Sequence, residues 1–407
     1  MVVSLIAAPV AFLSEIVYTE CKQKSGKLQQ DGLDKLMLIR YKTDENNNTI
    51  AVAKIYNQQE HNINNSLIDK DAFWAIRRLS QNKFEAYIVG GAVRDLLLKI
   101  VPKDFDIVTN ATPRQIKRLF YDARIIGKRF KIVHLTFNNK VIEVSTFRSG
   151  DTSIYGNMEQ DAQRRDFTVN SLYYDPIDKQ LFDYHEALTD FKKEKIRSIL
   201  PLPSSFVEDP VRMIRALKYS ATTQFSLQFN IKRAIKKVGV ELKEVSASRL
   251  TEEVSKILAS GHAVEIFKLL QKYSLLKYLL PNIANHKNKK ELYLCLERLD
   301  NQNFSRNYYS MWNSEILKAL VESVINWPAE TLGGDLLFKE LFKETKRVIS
   351  PITPPNYYVE QAVVAILKEK NIKVPKSALK ASEPFSRKNV KKRLTQQKRT
   401  KKGKKRV

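Results

Sequence analysis

The segment PKDFDIVTN, residues 102–110, sets two aspartates, Asp104 and Asp106, on either side of Phe105. In extended backbone, residues i and i+2 share a face, so Phe105 turns to the core and both carboxylates share one edge. Like charges this close repel and raise each other's pKa. A divalent cation between them removes that cost. The alternative is a solvated turn carrying two unrelated acids, and the neighbouring residues decide.

Upstream, Gly90 and Gly91 end an apolar run and open a helical pattern, with Arg94 one turn in. Exposed N–H groups at such a bend bind phosphate oxygens, and glycines let a triphosphate come close. Arg94 adds a charge-assisted contact. A tight turn with no ligand explains the glycine pair equally simply, and the third glycine of a dinucleotide fingerprint is missing. A phosphate cradle beside paired carboxylates suits two-metal nucleotidyl transfer, and magnesium suits such hard oxygen ligands. Glu143, on a later strand pattern, is an auxiliary carboxylate for the same pocket or a partner for a nearby arginine. In QDAQRRDFTVNSLYYD, residues 160–175, Arg164 and Arg165 clamp phosphates or stack on a base, and Asp166 joins the acids or holds a ribose. In EDPVRMIRALKYSA, residues 208–221, Asp209, Arg212 and Arg215 fall at i, i+3 and i+6. There Asp209 is the expected helix cap and Pro210 the first helical residue. A carboxylate and guanidinium held on one helix side read a base edge; a cap with surface basics is the plainer account.

The elements that must position these groups follow from periodicity. LIDKDAFWAIRRLSQN has helical spacing, FEAYIVGG is a buried strand ending at the glycines, and AVRDLLLK is a helix. KDFDIVT is a second strand. TPRQIKRLF is a helix with Thr112 as N-cap and Pro113 first. RFKIVHLTF and KVIEVSTF alternate as strands around Asn138-Asn139, a hairpin signal. Beyond about residue 205 the periods are helical. The fold class expected is α+β. Residues 1–56, with weak patterning, form an extension of unknown role; 57–200 form a head of mixed sheet and helices. Next come a helical neck, 201–270, a helical body, 271–380, and a disordered basic tail, 381–407.

The chain has 407 residues and a net charge of +26. That balance fits a polyanion, most simply nucleic acid, although an anionic membrane surface would also satisfy it. From Arg387 onward there are 12 Lys and Arg and no acid, so the body is basic even without its tail. Lys391, Lys392, Arg393, Lys398, Arg399, Lys401 and Lys402 are the tail's candidate RNA contacts. Two cysteines, Cys21 and Cys295, allow no zinc spacing or disulfide framework and fit a reducing, cytoplasmic setting. The apolar start MVVSLIAAPVAFL is too short to span a bilayer, and no integral membrane association is expected.

Taken together, GGAVRDLLL…PKDFDIVTNATP, RRDFTVNSLYYD and EDPVRMIRALKYSA resemble the class II tRNA nucleotidyltransferase/poly(A) polymerase superfamily, over about residues 57–285. The resemblance implies a nucleotidyltransferase head followed by helical RNA-binding regions. It places Asp104 and Asp106 on the metal-binding pair, Asp166 on the third catalytic acid, and Gly91 and Arg94 on the triphosphate loop. Asp209 and Arg212 fall on base-reading positions, with Arg215 beside them. IIGKRFKIVHLTF and the 248–281 stretch are similar to the bacterial poly(A) polymerase branch, as is the basic tail. The CCA-adding or A-adding tRNA enzymes are the alternative. The interval between Arg148 and Arg164 is shorter than in poly(A) polymerases, which puts processivity and primer handling in question. The implied activity is AMP addition from ATP to RNA 3′ ends with two Mg2+ ions, serving RNA processing or decay. RNA-decay machinery is a further expected partner, and the chain is expected to act as a monomer.

Overall fold

In the computed structural model the described residues are 18–21, 37–43, 49–127, 131–138, 140–150, 155–287, 289–302, 313–328, 332–375 and 378. The apolar start and the seven candidate tail cations lie outside them. The chain divides into two compact units. The first holds residues up to Arg212 together with Thr223–Val238, and the second holds Met213–Thr222 and everything from Gly239 onward.

The first unit is built on a mixed sheet of ten strands: β1 (Tyr18–Cys21), β2 (Met37–Thr43), β3 (Thr49–Tyr56), β4 (Ala86–Val89), β5 (Asp106–Thr109), β6 (Ala123–Ile126), β7 (Ile132–Phe137), β8 (Lys140–Thr146), β9 (Tyr173–Asp175) and β10 (Gln180–Asp183). Their spatial order is β1-β2-β3-β10-β9-β4-β5-β8-β7-β6. Only β5 and β8 run parallel within it. The extension expected outside the head therefore supplies three of the head's strands. β3 pairs with β10, placing Lys54 opposite Asp183 and Ile55 opposite Phe182. Their pairing partner lies far along the chain, so local pattern alone leaves them unassigned.

Strand alternation feeds two cores, one on each face. Phe105, Ile107, Ile88 and Val144 enter one, beneath the helices Lys70–Gln81, Gly91–Leu97 and Pro113–Leu119. Val89, Val108, Phe147 and Tyr173 enter the other, with Met158 and Ala162 from the helix Met158–Gln163. Of the two expected helix caps, Thr112 is observed; Asp69 caps a helix for which none was named. Asp69 accepts the N–H groups of Asp71 and Ala72, and Thr112 forms a capping box with Gln115, with Pro113 in the first turn. Lys140 ties the β7–β8 hairpin to the Lys70–Gln81 helix through Asp69 at 2.5 Å and Asp71 at 2.6 Å.

The second unit is helical. Its longer helices are Ala247–Leu258, Ala263–Lys272, Lys289–Asp300, Ser314–Val321, Gly334–Ile349 and Asn356–Glu369. None of the described helices is long and apolar enough to cross a membrane.

Candidate active site

The glycine bend is a real conformational requirement. Gly90 has φ +69° and ψ −132°, a region where a β-carbon collides with its own backbone. The bend ends β4 and starts the helix Gly91–Leu97. Beside it, β5 runs antiparallel to β4 with Val89 opposite Asp106. A β-carbon placed on Gly90 would lie 3.9 Å from Asp106 Oδ2 and 3.9 Å from Arg165 Nη1. The double-glycine bend, one of the paired aspartates and one of the paired arginines therefore converge.

Asp104 and Asp106 are both exposed and Phe105 between them is buried. The alternation holds, although β5 begins only at Asp106. Asp104 sits in the approach to the strand rather than within it. Lys103 is a bend, and the ladder with β4 begins only at Asp106. Parity puts Asp106 on the face of Val108, where Arg165 and Tyr173 also lie. Glu143 is in register with Asp106 across the parallel β5–β8 pair. Its observed neighbour is a histidine rather than an arginine, with Oε1 3.3 Å from His134 Nε2.

Arg94 folds over the bend, its Nη2 3.4 Å from where a Gly91 β-carbon would stand. Asp95 Oδ1 accepts from Arg94 Nη2 at 2.7 Å and Nε at 2.9 Å, and Asn170 Oδ1 accepts from Nη1 at 3.2 Å. The guanidinium is thus held at the bend.

The two adjacent arginines differ. Arg165 is anchored, donating to Asp161 at 2.9 Å, to the Tyr173 hydroxyl at 3.0 Å and to the Asn170 carbonyl at 3.1 Å. Tyr173 itself donates to Asp161 at 2.8 Å. Burial alone would lower the Arg165 pKa, but Tyr173 and Asp161 outweigh it and hold the pKa above its ordinary value. Arg164 is half-buried without such an anchor. Burial, with the charges of Arg148 and Arg165, pushes its pKa down against the pull of Asp161. An anion beside Arg164 would relieve that repulsion. Asp161, Asn170 and Tyr173 carry no role in the sequence reading. The i,i+4 spacing of Asp161 and Arg165 was the available signal.

Asp166 is buried, and its Oδ1 accepts the N–H of Phe167 at 2.8 Å. Among the described residues, no group of three or more His, Cys, Asp or Glu side chains is placed to hold a metal ion, so the three acids are not gathered into one ligand set. The donor chemistry that fits a hard cation is the exposed Asp104–Asp106 pair.

At the positions expected to read the base, the helix spans Val211–Thr223 with Pro210 at its N-cap. Asp209 stands one residue earlier than expected, and its carbonyl, 3.1 Å from Arg212 N, closes the first turn. The proline ring already fits the helical φ, which moves the boundary past Asp209. Arg212 Nη1 donates to the Ser205 carbonyl at 2.9 Å and to Glu208 at 3.2 Å. In the second unit, Arg215 donates to the Tyr219 hydroxyl at 3.3 Å and 3.0 Å. Burial there works to raise the pKa of Glu253, but Lys218, then Lys256 and Arg215, hold it below the usual carboxylate value.

Comparison with known proteins identifies the family. Residues 86–197 match the poly A polymerase head domain. Residues 224–287 match a domain described as the probable RNA and SrmB-binding site of polymerase A. The chain is 38% identical to the poly(A) polymerase I of Haemophilus influenzae over 242 residues, which cover 54% of each chain; it spans about half the length of such relatives. It is 30% identical to the CCA-adding enzyme of Lactobacillus helveticus over 302 residues, covering 70% of this chain and 74% of that one. The crystal structure of the Bacillus stearothermophilus CCA-adding enzyme in complex with CTP superposes with a TM-score of 0.51 at 27% identity, over 75% of this chain and 83% of that one. The chain belongs to the class II tRNA nucleotidyltransferase/poly(A) polymerase superfamily.

Proposed function

We propose that the chain is a template-independent poly(A) polymerase that adds AMP from ATP to RNA 3′ ends. The observation that carries this reading is the approach of Asp106 Oδ2 and Arg165 Nη1 to the Gly90 bend. Acid, cation and phosphate cradle stand within one nucleotide's reach. The 38% identity to a poly(A) polymerase supports the choice of substrate.

In this reading the ATP phosphates lie on the Gly90–Gly91 turn. Arg94 contacts them in the orientation that Asp95 and Asn170 set, and Arg164 supplies a charge that gains from an anion. Arg165 is the rigid post behind the bend. Asp209 and Arg212 read the adenine edge, so no template strand is needed. Asp166 is the third acid this reading assigns to catalysis, outside the metal-holding pair. The RNA 3′-oxygen bonds to the α-phosphorus while the bond to the departing pyrophosphate breaks.

Asp104 and Asp106 would hold Mg2+. When bound, the two ions lower the pKa of the attacking hydroxyl and neutralise charge on the leaving group. The basic tail adds sequence-independent RNA affinity. The reading places the protein in the cytoplasm as a monomer serving RNA processing, within reach of RNA-decay machinery.

A second reading, CCA addition to tRNA, is favoured by the longer match to a CCA-adding enzyme. One experiment separates the two. The protein is given a generic RNA primer, then tRNA lacking its 3′ end, with each nucleoside triphosphate in turn. Long A tracts on the generic primer support the first reading; stopping after C, C and A on tRNA alone supports the second.

A further inference from the structure

The outer face of the head's first helical layer carries a surface that the nucleotidyl-transfer site does not use. On the helix Lys70–Gln81, Trp74, Arg77 and Arg78 fall at i, i+3 and i+4 and all three are exposed. On the helix Pro113–Leu119, Arg114, Lys117 and Arg118 repeat that spacing and are likewise exposed. Arg78 joins the two helices, its Nε donating to the Leu119 carbonyl at 2.8 Å. The stretch 113–124 holds four Lys and Arg against the single acid Asp122.

Aromatic rings are set among these charges. Trp74 stands edge-on against Phe120 and Phe137, with centroids 5.6 Å and 5.7 Å away. The Arg78 guanidinium lies 5.4 Å from the Trp74 ring centre. Packing of this kind fixes the indole while leaving it 45% exposed. Tyr121, two residues past the second helix, has its whole side chain in solvent. An exposed aromatic ring alone means little, but rings grouped within a rim of cations mark an interaction surface.

The surface is separated from the glycine bend by the sheet's own connectivity. β5 starts at Asp106, and the helix Pro113–Leu119 is reached only from its far end, after Thr109. A strand whose 3′ end lies at Asp106 can touch this face only with nucleotides upstream of that end.

We propose that Trp74, Tyr121, Arg77, Arg114, Lys117 and Arg118 form a second RNA-contact surface, which takes single-stranded RNA upstream of the reacting 3′ end. Cations following a backbone, with rings on which bases stack, are the combination that binds single strands without reading sequence. Charge complementarity selects a polyanion, and the exposed rings select unpaired bases over a duplex. The inference rests on RNA being the substrate, as proposed above.

The test uses the full chain and two variants: Tyr121→Ala, whose side chain packs on nothing, and the triple change Arg114→Gln, Lys117→Gln, Arg118→Gln. Affinity is measured by anisotropy for a labelled single-stranded oligoadenylate longer than the roughly sixteen nucleotides one groove covers. Tyr121→Ala is expected to weaken binding roughly fivefold, the low end for one stacked base. The triple change is expected to lower the slope of log affinity against log salt by about two. Extension of a short primer that reaches only the catalytic end is expected to stay unchanged in both. Wild-type affinity and salt slope in both variants, as a protein-docking role for this face would give, overturn the proposal. Failure of the wild type to bind any RNA overturns the RNA reading itself.

Discussion

Asn170 Oδ1 lies 3.2 Å from Arg94 Nη1 and accepts its hydrogen bond. The same residue's carbonyl accepts from Arg165 at 3.1 Å. One asparagine thus ties the guanidinium over the glycine bend to the one behind it. Removing the side-chain partner of a charged donor costs more than an average hydrogen bond. Asn170→Ala is therefore expected to raise the KM for ATP about tenfold while the thermal midpoint moves little. An unchanged KM in a folded variant would show that Arg94 keeps its place unaided.

Asp106 is the acid that the structure places at the bend. Asp106→Ala removes a carboxylate from the proposed ion site without touching either core. Transfer is expected to fall at least about a hundredfold, since metal-assisted charge stabilisation is worth several kcal/mol. RNA affinity in a gel-shift assay should be retained. A variant with near-normal turnover would remove Asp106 from the chemistry.

Asp161 acts through Arg165 and Tyr173. With Asp161→Asn the amide oxygen can still accept from Arg165 and Tyr173, while the charge and the bond from the Arg148 N–H are lost. Both kcat and stability are expected to drop, the latter by about 3 kcal/mol, as for breaking a buried ion pair. Urea unfolding and single-turnover kinetics give the two numbers. Restored stability and turnover in Asp161→Glu would point to charge rather than shape.

Base choice is assigned to Asp209 and Arg212. Asp209→Ala is expected to narrow the preference for ATP over CTP by about tenfold, the scale of one lost hydrogen-bonded contact. Competition kinetics with both nucleotides measure it. An unaltered ratio would move base reading elsewhere.

His61 gives the first unit a pH dependence. Its Nδ1 accepts the Ile63 N–H at 3.0 Å, so Nε2 carries the proton and donates to the Lys179 carbonyl at 3.1 Å. Burial holds its pKa below the ordinary 6.5, against the opposing pull of the Lys179 carbonyl and Glu60. With the folded pKa depressed, its contribution to stability is complete above 6.5 and is lost as pH falls through the folded pKa. His61→Gln should therefore lose less stability than wild type between about pH 7 and about pH 5. Parallel curves would place the titration elsewhere.

Much of the site was legible because its parts are local. A strand running into two glycines and a Phe between two acids each carry their geometry within a few residues. β1, β2 and β3 were not legible because their place depends on β10, whose sequence gives no local hint of a partner more than 120 residues away. The different fates of Arg164 and Arg165 were hidden too, since only the buried Tyr173 hydroxyl and Asp161 distinguish neighbours of identical type. The boundary at Asp209 moved by one residue because Pro210 suits both the cap and the first turn.

The most direct test of the account is primer extension by the wild-type chain and by Asp106→Ala, each with ATP, Mg2+ and a generic RNA primer. Adenylate addition by the wild type and none by the variant is the expected result. No addition by the wild type on this primer or on tRNA lacking its 3′ end, or equal addition by both proteins, would contradict it.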